Sequence, residues 1–260
     1  MSRKFTIPTE IYDQREAMGA AAAHQFQRRV QEVVEAKGRC RVIFGCAPSQ
    51  DDFFRALVRE AQATPGVWRR VEIFHMDEYI GLPGSHPQSF RTYLRIHFLN
   101  HVEPAALHLI KGEASSGEME AERYATLIGH APIDVIAMGI GENGHVAFND
   151  PPVANFTDPY LVKVVAMDDS CRQQQVNDGC FSSLSMVPRF AVTITLPVFA
   201  QAGSLFCIVP GLRKARAVQR AFLDPVSPAC PATILRVHPR ARLFLDRDSA
   251  SLYQSASGHS

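Results

Sequence analysis

Short apolar runs, each followed by a turn and then a stretch of helical spacing, constrain this 260-residue chain more than any other feature. The runs are RVIFG (41–45), VEIF (71–74), IDVIAM (133–138), AVTITL (191–196), LFCIV (205–209) and RLFL (242–245). Such short runs, apolar almost throughout, suit strands buried on both faces. Residues 11–37, 51–63, 87–98, 118–129 and 211–222 read as helices between them. In the second of these, Phe53, Phe54, Leu57 and Val58 fall on one face. Alternation of this kind predicts an α/β fold, a doubly wound and mostly parallel sheet, as one domain over residues 1–260. In such sheets ligands bind in the crevice outside the strand carboxyl ends. Residues 151–188 break the pattern, being rich in Asp, Asn, Gln, Ser and Pro. They are long for a connection and read either as a flap beside the site or as a plain surface excursion.

Composition removes several function classes. The net charge is +1, so no strong field draws in nucleic acid or an acidic membrane surface. No run approaches the roughly 18 apolar residues of a membrane span. The N-terminal MSRKFTIPTEIYDQ lacks the apolar core of a secretory leader. The six cysteines are scattered without CxxC pairs, which reads as a reduced, cytoplasmic protein. The ten histidines show no metal-ligand spacing, and no G-x-S-x-G nucleophile motif occurs. No metal is expected.

Four segments that follow strands carry candidate chemistry. In HMDEYIGLPGSHPQSF (75–90), Asp77 stands just past a strand end, where a carboxylate is well placed as a general base. The alternative is that Asp77 caps a turn and Glu78 is a solvated charge. In MGIGENGHVAFNDPP (138–152), glycines at 139, 141 and 144 allow positive φ and close approach. Successive amides of such a loop can form an anion nest, or the loop is a tight turn with a structural histidine. His145 lies within it and Asp150 follows, a pairing that can shuttle a proton near neutral pH. In FGCAPSQDDF (44–53), Ser49 and Gln50 precede a helix start, which suits a phosphate or a sugar hydroxyl, or is ordinary capping. In PGLRKARAVQ (210–219), Arg213 and Lys214 occupy the first turn of a helix. Cations there oppose the helix dipole, and a bound anion would offset that cost.

Taken together these segments resemble the glucosamine-6-phosphate deaminase (isomerase) family, related to the 6-phosphogluconolactonases. The match runs in order over about residues 41–246. MDEYIGLPGSHPQSF and GIGENGHVAFNDPP are its most specific parts; VPRFAVTITL, VPGLRKARAVQ and TILRVHPRARLFLD extend it. The resemblance implies a modified Rossmann-type fold and conversion of glucosamine 6-phosphate and water to fructose 6-phosphate and ammonia, without an organic cofactor. It implies a small-molecule sugar phosphate as the partner, and family members range from monomers to homo-oligomers. By position, Asp77 would move the proton between C1 and C2. His145, oriented by Asp150 and held by Asn143, would assist ring opening, and Gly144 would bind the substrate. Ser49, Gln50 and Lys214 would hold the phosphate. Arg172 is the nearest arginine to the family's second phosphate ligand, though out of register. Three departures stand out: Ala47–Pro48 in place of a glycine-rich turn, Asn143 where the family often has aspartate, and Asp150 where it usually has glutamate. A lactonase-like hydrolase and a non-catalytic sugar-phosphate sensor are the competing readings.

Overall fold

The computed structural model describes residues 7–257. Residues 1–6 of the N-terminal stretch weighed above for leader character lie outside them. In chain order the strands are β1 (Thr9–Tyr12), β2 (Cys40–Phe44), β3 (Val71–His75), β4 (Asp77–Tyr79), β5 (Ala106–His108), β6 (Val135–Met138), β7 (Val162–Ala166), β8 (Phe190–Ile194), β9 (Leu205–Val209) and β10 (Ala241–Asp246). The helices are α1 (Arg15–Lys37), α2 (Asp51–Ala63), α3 (Pro65–Trp68), α4 (Phe90–His97), α5 (Gly117–Gly129), α6 (Asp169–Asn177), α7 (Leu196–Gln201), α8 (Ala215–Leu223) and α9 (Arg247–Ser257).

Seven strands form one sheet in the order β1-β10-β9-β6-β2-β3-β5, and every pairing is parallel. From β2 the chain moves outward through β3 and β5. It then returns to the other side of β2 with β6 and moves outward again. The order therefore reverses between β2 and β6, which opens a crevice at their carboxyl ends. Because side chains alternate across a strand, the two faces bury different sets. Val42 and Phe44 of β2 join Phe26, Phe53, Phe54 and Trp68 on one face, while Ile43 and Ile136 join Tyr124, Leu205 and Val218 on the other. That division is the double winding predicted from the apolar runs.

Two expectations need correction. The first helix does not begin at residue 11. Thr9–Tyr12 form an edge strand that pairs with β10, Thr9 opposite Leu243, and α1 starts at Arg15. Its end follows local chemistry: Gly38 takes φ 76°, a left-handed value open to glycine, and its N–H closes onto Val34 O. The AVTITL run does not join the parallel sheet either. β8 is the central strand of a small antiparallel sheet, β4-β8-β7, and Leu196 already begins α7. Residues 151–188 carry β7 and α6, so this stretch is folded rather than a bare excursion. Among the described residues no helix is long and apolar enough to cross a membrane.

Candidate active site

The four segments singled out from sequence converge on the crevice at the β2/β6 switch point. Ser49 and Gln50 come from the turn after β2, Asp77 from β4, Gly139, Gly141 and His145 from the loop after β6, and Lys214 from the turn after β9. They line one cavity with Gln174 and Gln175 of α6, against apolar walls from Met76, Phe90 and Phe148. A larger open hollow lies at the other end of the sheet, between α1 and the start of β10. It collects Arg28, Arg240 and Arg242 but no buried carboxylate.

Asp77 and Glu78 are neighbours on a strand and so point to opposite sides of it. Asp77 lines the cavity at 6% exposure, and no hydrogen bond reaches its carboxylate from the described residues. Burial, reinforced by the Glu78 charge, pushes its carboxyl well above the usual carboxylate range. Such an upward shift is the kind that gives a carboxylate the strength of a base near neutral pH. Glu78 is not a solvated charge. It is fully buried and accepts from Ser89 Oγ (2.7 Å), from the amides of Phe90 and Arg91 (both 3.1 Å), and from Arg91 Nε (3.3 Å). It therefore satisfies the free amides at the start of α4 and ties that helix to β4.

The glycine-rich loop packs closely around the histidine. A Cβ on Gly141 would lie 2.2 Å from the His145 ring, so the ring packs where only glycine leaves room. Gly144 takes φ 91°, and a Cβ there would meet Cys230 Sγ at 2.8 Å. Four of the loop amides are already used. Gly141 N donates to His145 O, Gly144 N to Gly141 O, His145 N to Asn143 Oδ1 and Glu142 N to Gln174 Oε1. These four are therefore not free to bind an anion, and Gly144 shapes the loop without lining the cavity.

His145 Nδ1 lies 3.0 Å from Asp150 Oδ1, close but without good angular alignment. Catalytic hydrogen bonds often tighten only when substrate is bound. Asn143 Nδ2 donates to Asp150 Oδ1 at 2.9 Å, so the amide braces the carboxylate and the loop at once. Burial pushes the Asp150 carboxyl up, but the close approach of the His145 ring and the hydrogen bond from Asn143 outweigh it and leave the group below its ordinary value. Asp150 thus stays ionised as a partner for the ring.

The predicted phosphate grip is only partly assembled. Lys214 is buried, and its ammonium has no hydrogen-bond or ion-pair partner among the described residues. Burial lowers its pKa, against the opposing pull of Asp178 and Glu142. Gln50 behaves differently from expectation. Its Nε2 is committed to Ile208 O at 3.1 Å, so the buried Oε1 is left as an unpaired acceptor. Its backbone amide closes the turn onto Ala47 O, and Pro48 has none to give. Gln50 therefore suits a donor such as a sugar hydroxyl rather than a phosphate. Arg172 is excluded from the site. It points to the outer side of α6, where it binds Asp169 and the carbonyls of Leu184 and Val187. Gln174 and Gln175 went unread in the sequence because a polar QQQ run looks like surface. Gln175 Oε1 accepts from the buried Tyr79 hydroxyl at 2.8 Å.

The family model for glucosamine-6-phosphate isomerases and 6-phosphogluconolactonases matches residues 13–244. A glucosamine-6-phosphate deaminase of Shouchella clausii is 31% identical over 206 residues, covering 78% of this chain and 81% of the relative. The solved structure of a monomeric glucosamine-6-phosphate deaminase superposes with a TM-score of 0.86 at 25% identity, covering 95% of this chain and all of that one. The Trypanosoma brucei 6-phosphogluconolactonase shares the fold, with a TM-score of 0.78 at 18% identity over 95% of this chain and 98% of that one. With sheet order, switch-point site and sequence in agreement, the chain belongs to the glucosamine-6-phosphate isomerase/6-phosphogluconolactonase family.

Proposed function

We propose that this protein is a glucosamine-6-phosphate deaminase, which isomerises the amino sugar phosphate and hydrolyses its C–N bond. The observation that carries the reading is a buried, unbonded Asp77 carboxylate and a His145–Asp150 pair lining one cavity with the unpartnered Lys214 ammonium. Ring opening needs a proton taken from the anomeric hydroxyl and given to the ring oxygen, and His145, held by Asp150, is the shuttle. Asp77 then removes the proton from C2 and returns it to C1. Water adds at C2, the amine leaves as ammonia, and fructose 6-phosphate remains. Each step is a proton transfer or an addition–elimination, so these side chains suffice without an organic cofactor. Each positioned acid or base supplies about 10²–10⁴-fold.

Lys214 and Ser49 would face the phosphate, with Gln50 Oε1 receiving a sugar hydroxyl. Residues 151–188 act as a flap in this reading, since α6 sets Gln174 and Gln175 in the wall. All of these residues come from one chain. The six unpaired cysteines support a reducing, cytoplasmic setting for amino sugar catabolism.

The test is release of ammonia and fructose 6-phosphate from glucosamine 6-phosphate, run beside the galacto epimer and 6-phosphogluconolactone. Lactone hydrolysis without ammonia would overturn the proposal in favour of a lactonase, and tight binding without turnover would favour a sensor. Lys214→Met is expected to raise KM by roughly 10–100-fold with a smaller effect on kcat, the size of one charge-assisted hydrogen bond to phosphate. Because burial lowers the lysine pKa, wild-type KM should begin to rise at a lower pH than an ordinary lysine would dictate, as the ammonium loses its proton. Initial-rate profiles of both proteins against pH decide this.

A further inference from the structure

The proposed mechanism makes no use of Cys171, which is 1% exposed and sits in the same cluster as the proton shuttle. Its Sγ lies 4.0 Å from His145 Nε2. One ligand atom each from His145, Asp150 and Cys171 all fall within 4.8 Å of one another. A thiolate, an imidazole nitrogen and a carboxylate are the donor set that zinc takes, at about 2.0–2.3 Å from each. Around a tetrahedral zinc such atoms lie about 3.3–3.7 Å apart, so the widest pair would have to close by about 1 Å. Asn143 Nδ2 bonded to Asp150 Oδ1 supplies an outer partner for the carboxylate. His145 also lines the cavity, so the cluster adjoins the proposed substrate pocket.

We propose that Cys171, His145 and Asp150 form a binding site for a soft divalent cation such as zinc, which shuts the enzyme off by occupying the shuttle histidine. On binding, the Cys171 thiol gives up its proton to solvent and the sulfur bonds to the metal. Burial, and then the Asp150 and Asp77 charges, raise the Cys171 thiol above its usual range. Hard cations such as magnesium prefer oxygen ligands and should leave the site alone.

The inhibition rests on the deaminase reading, whereas the binding does not, and the experiment separates them. Cobalt(II) is titrated into the purified protein and its thiolate charge-transfer absorption is followed. The band is expected in the wild type, and it should vanish in both Cys171→Ser and Cys171→Ala while surviving in Cys46→Ser. Zinc, but not magnesium, should inhibit turnover reversibly on chelation. Both Cys171 variants should keep basal activity and need at least ~10–100-fold more zinc, since losing even an outer partner of a metal ligand costs that much. Circular dichroism and thermal melts check that each variant is folded. A band that persists without Cys171 or disappears with Cys46, or equal zinc sensitivity in wild type and variants, would overturn the proposal. Absence of deaminase activity would leave the cobalt result standing.

Discussion

Asp77→Asn is expected to lower kcat/KM by about 10²–10⁴-fold and at the same time to make the protein more stable. The amide cannot take the C2 proton, yet it fills the same space. The stability gain follows from burial. The carboxylate lies in the cavity wall with no hydrogen bond to relieve its charge, and its pKa is raised well above the ordinary value. A carboxyl raised in the folded state favours folding below its unfolded pKa, and that contribution is lost as pH rises through the folded value. Wild type should therefore lose stability from mildly acidic pH up to the raised pKa, and Asp77→Asn should not. At neutral pH the variant should gain about 1 kcal/mol, roughly 2–4 °C in melting temperature for a chain of this size. Over the same window wild-type kcat/KM should climb as the base loses its proton. Urea unfolding at several pH values, with initial rates alongside, measures both. An active asparagine variant, or one no more stable than wild type at pH 7, removes Asp77 from this role.

Glu78→Ala is expected to destabilise the fold by about 3 kcal/mol. The carboxylate accepts four hydrogen bonds from the turn and first residues of α4, including the Arg91 side chain, and replacing it leaves those donors buried without partners. The figure lies at the low end for a broken buried ion pair because Arg91 keeps a second carboxylate, Glu113. Burial is also the largest influence on Glu78 and raises its pKa despite the surrounding donors. Folding therefore disfavours the charge itself, and what the site needs is the acceptor oxygens, so Glu78→Gln, which keeps one, should lose less than the alanine variant. A urea midpoint unchanged in Glu78→Ala would show that α4 does not depend on this tie. The two adjacent carboxylates thus give opposite results: making one an amide stabilises the protein, and truncating the other, with the loss of its acceptor oxygens, destabilises it.

Much of this was legible locally. The apolar runs marked β2, β3, β6, β9 and β10, because strands buried on both faces have no polar side to interrupt them. Helical spacing and end signals placed α2 and α5 to within a residue. β1 was misread because Ile11 and Tyr12 also satisfy the helical pattern of α1, and only pairing with the far end of the chain makes them a strand. The glycines of the GIGENGH loop announced tight approach, although not what approaches. The answer is the His145 ring itself, against Gly141.

By itself the sequence determined the strand–helix alternation, and with it the parallel sheet and the crevice where ligands bind. It also determined which acid–base groups, Asp77, His145 and Asp150, follow the strands that open there, since both are properties of neighbouring residues. Only the tertiary structure decided which of two adjacent carboxylates faces the cavity and which braces a helix. It alone placed β8 in the smaller sheet, turned Arg172 outward, left Gln50 an acceptor and set Cys171 beside His145. The physical reason is common to all of these. The direction and partners of a side chain depend on groups distant in sequence that reach it only when the sheet closes, and no local pattern encodes them.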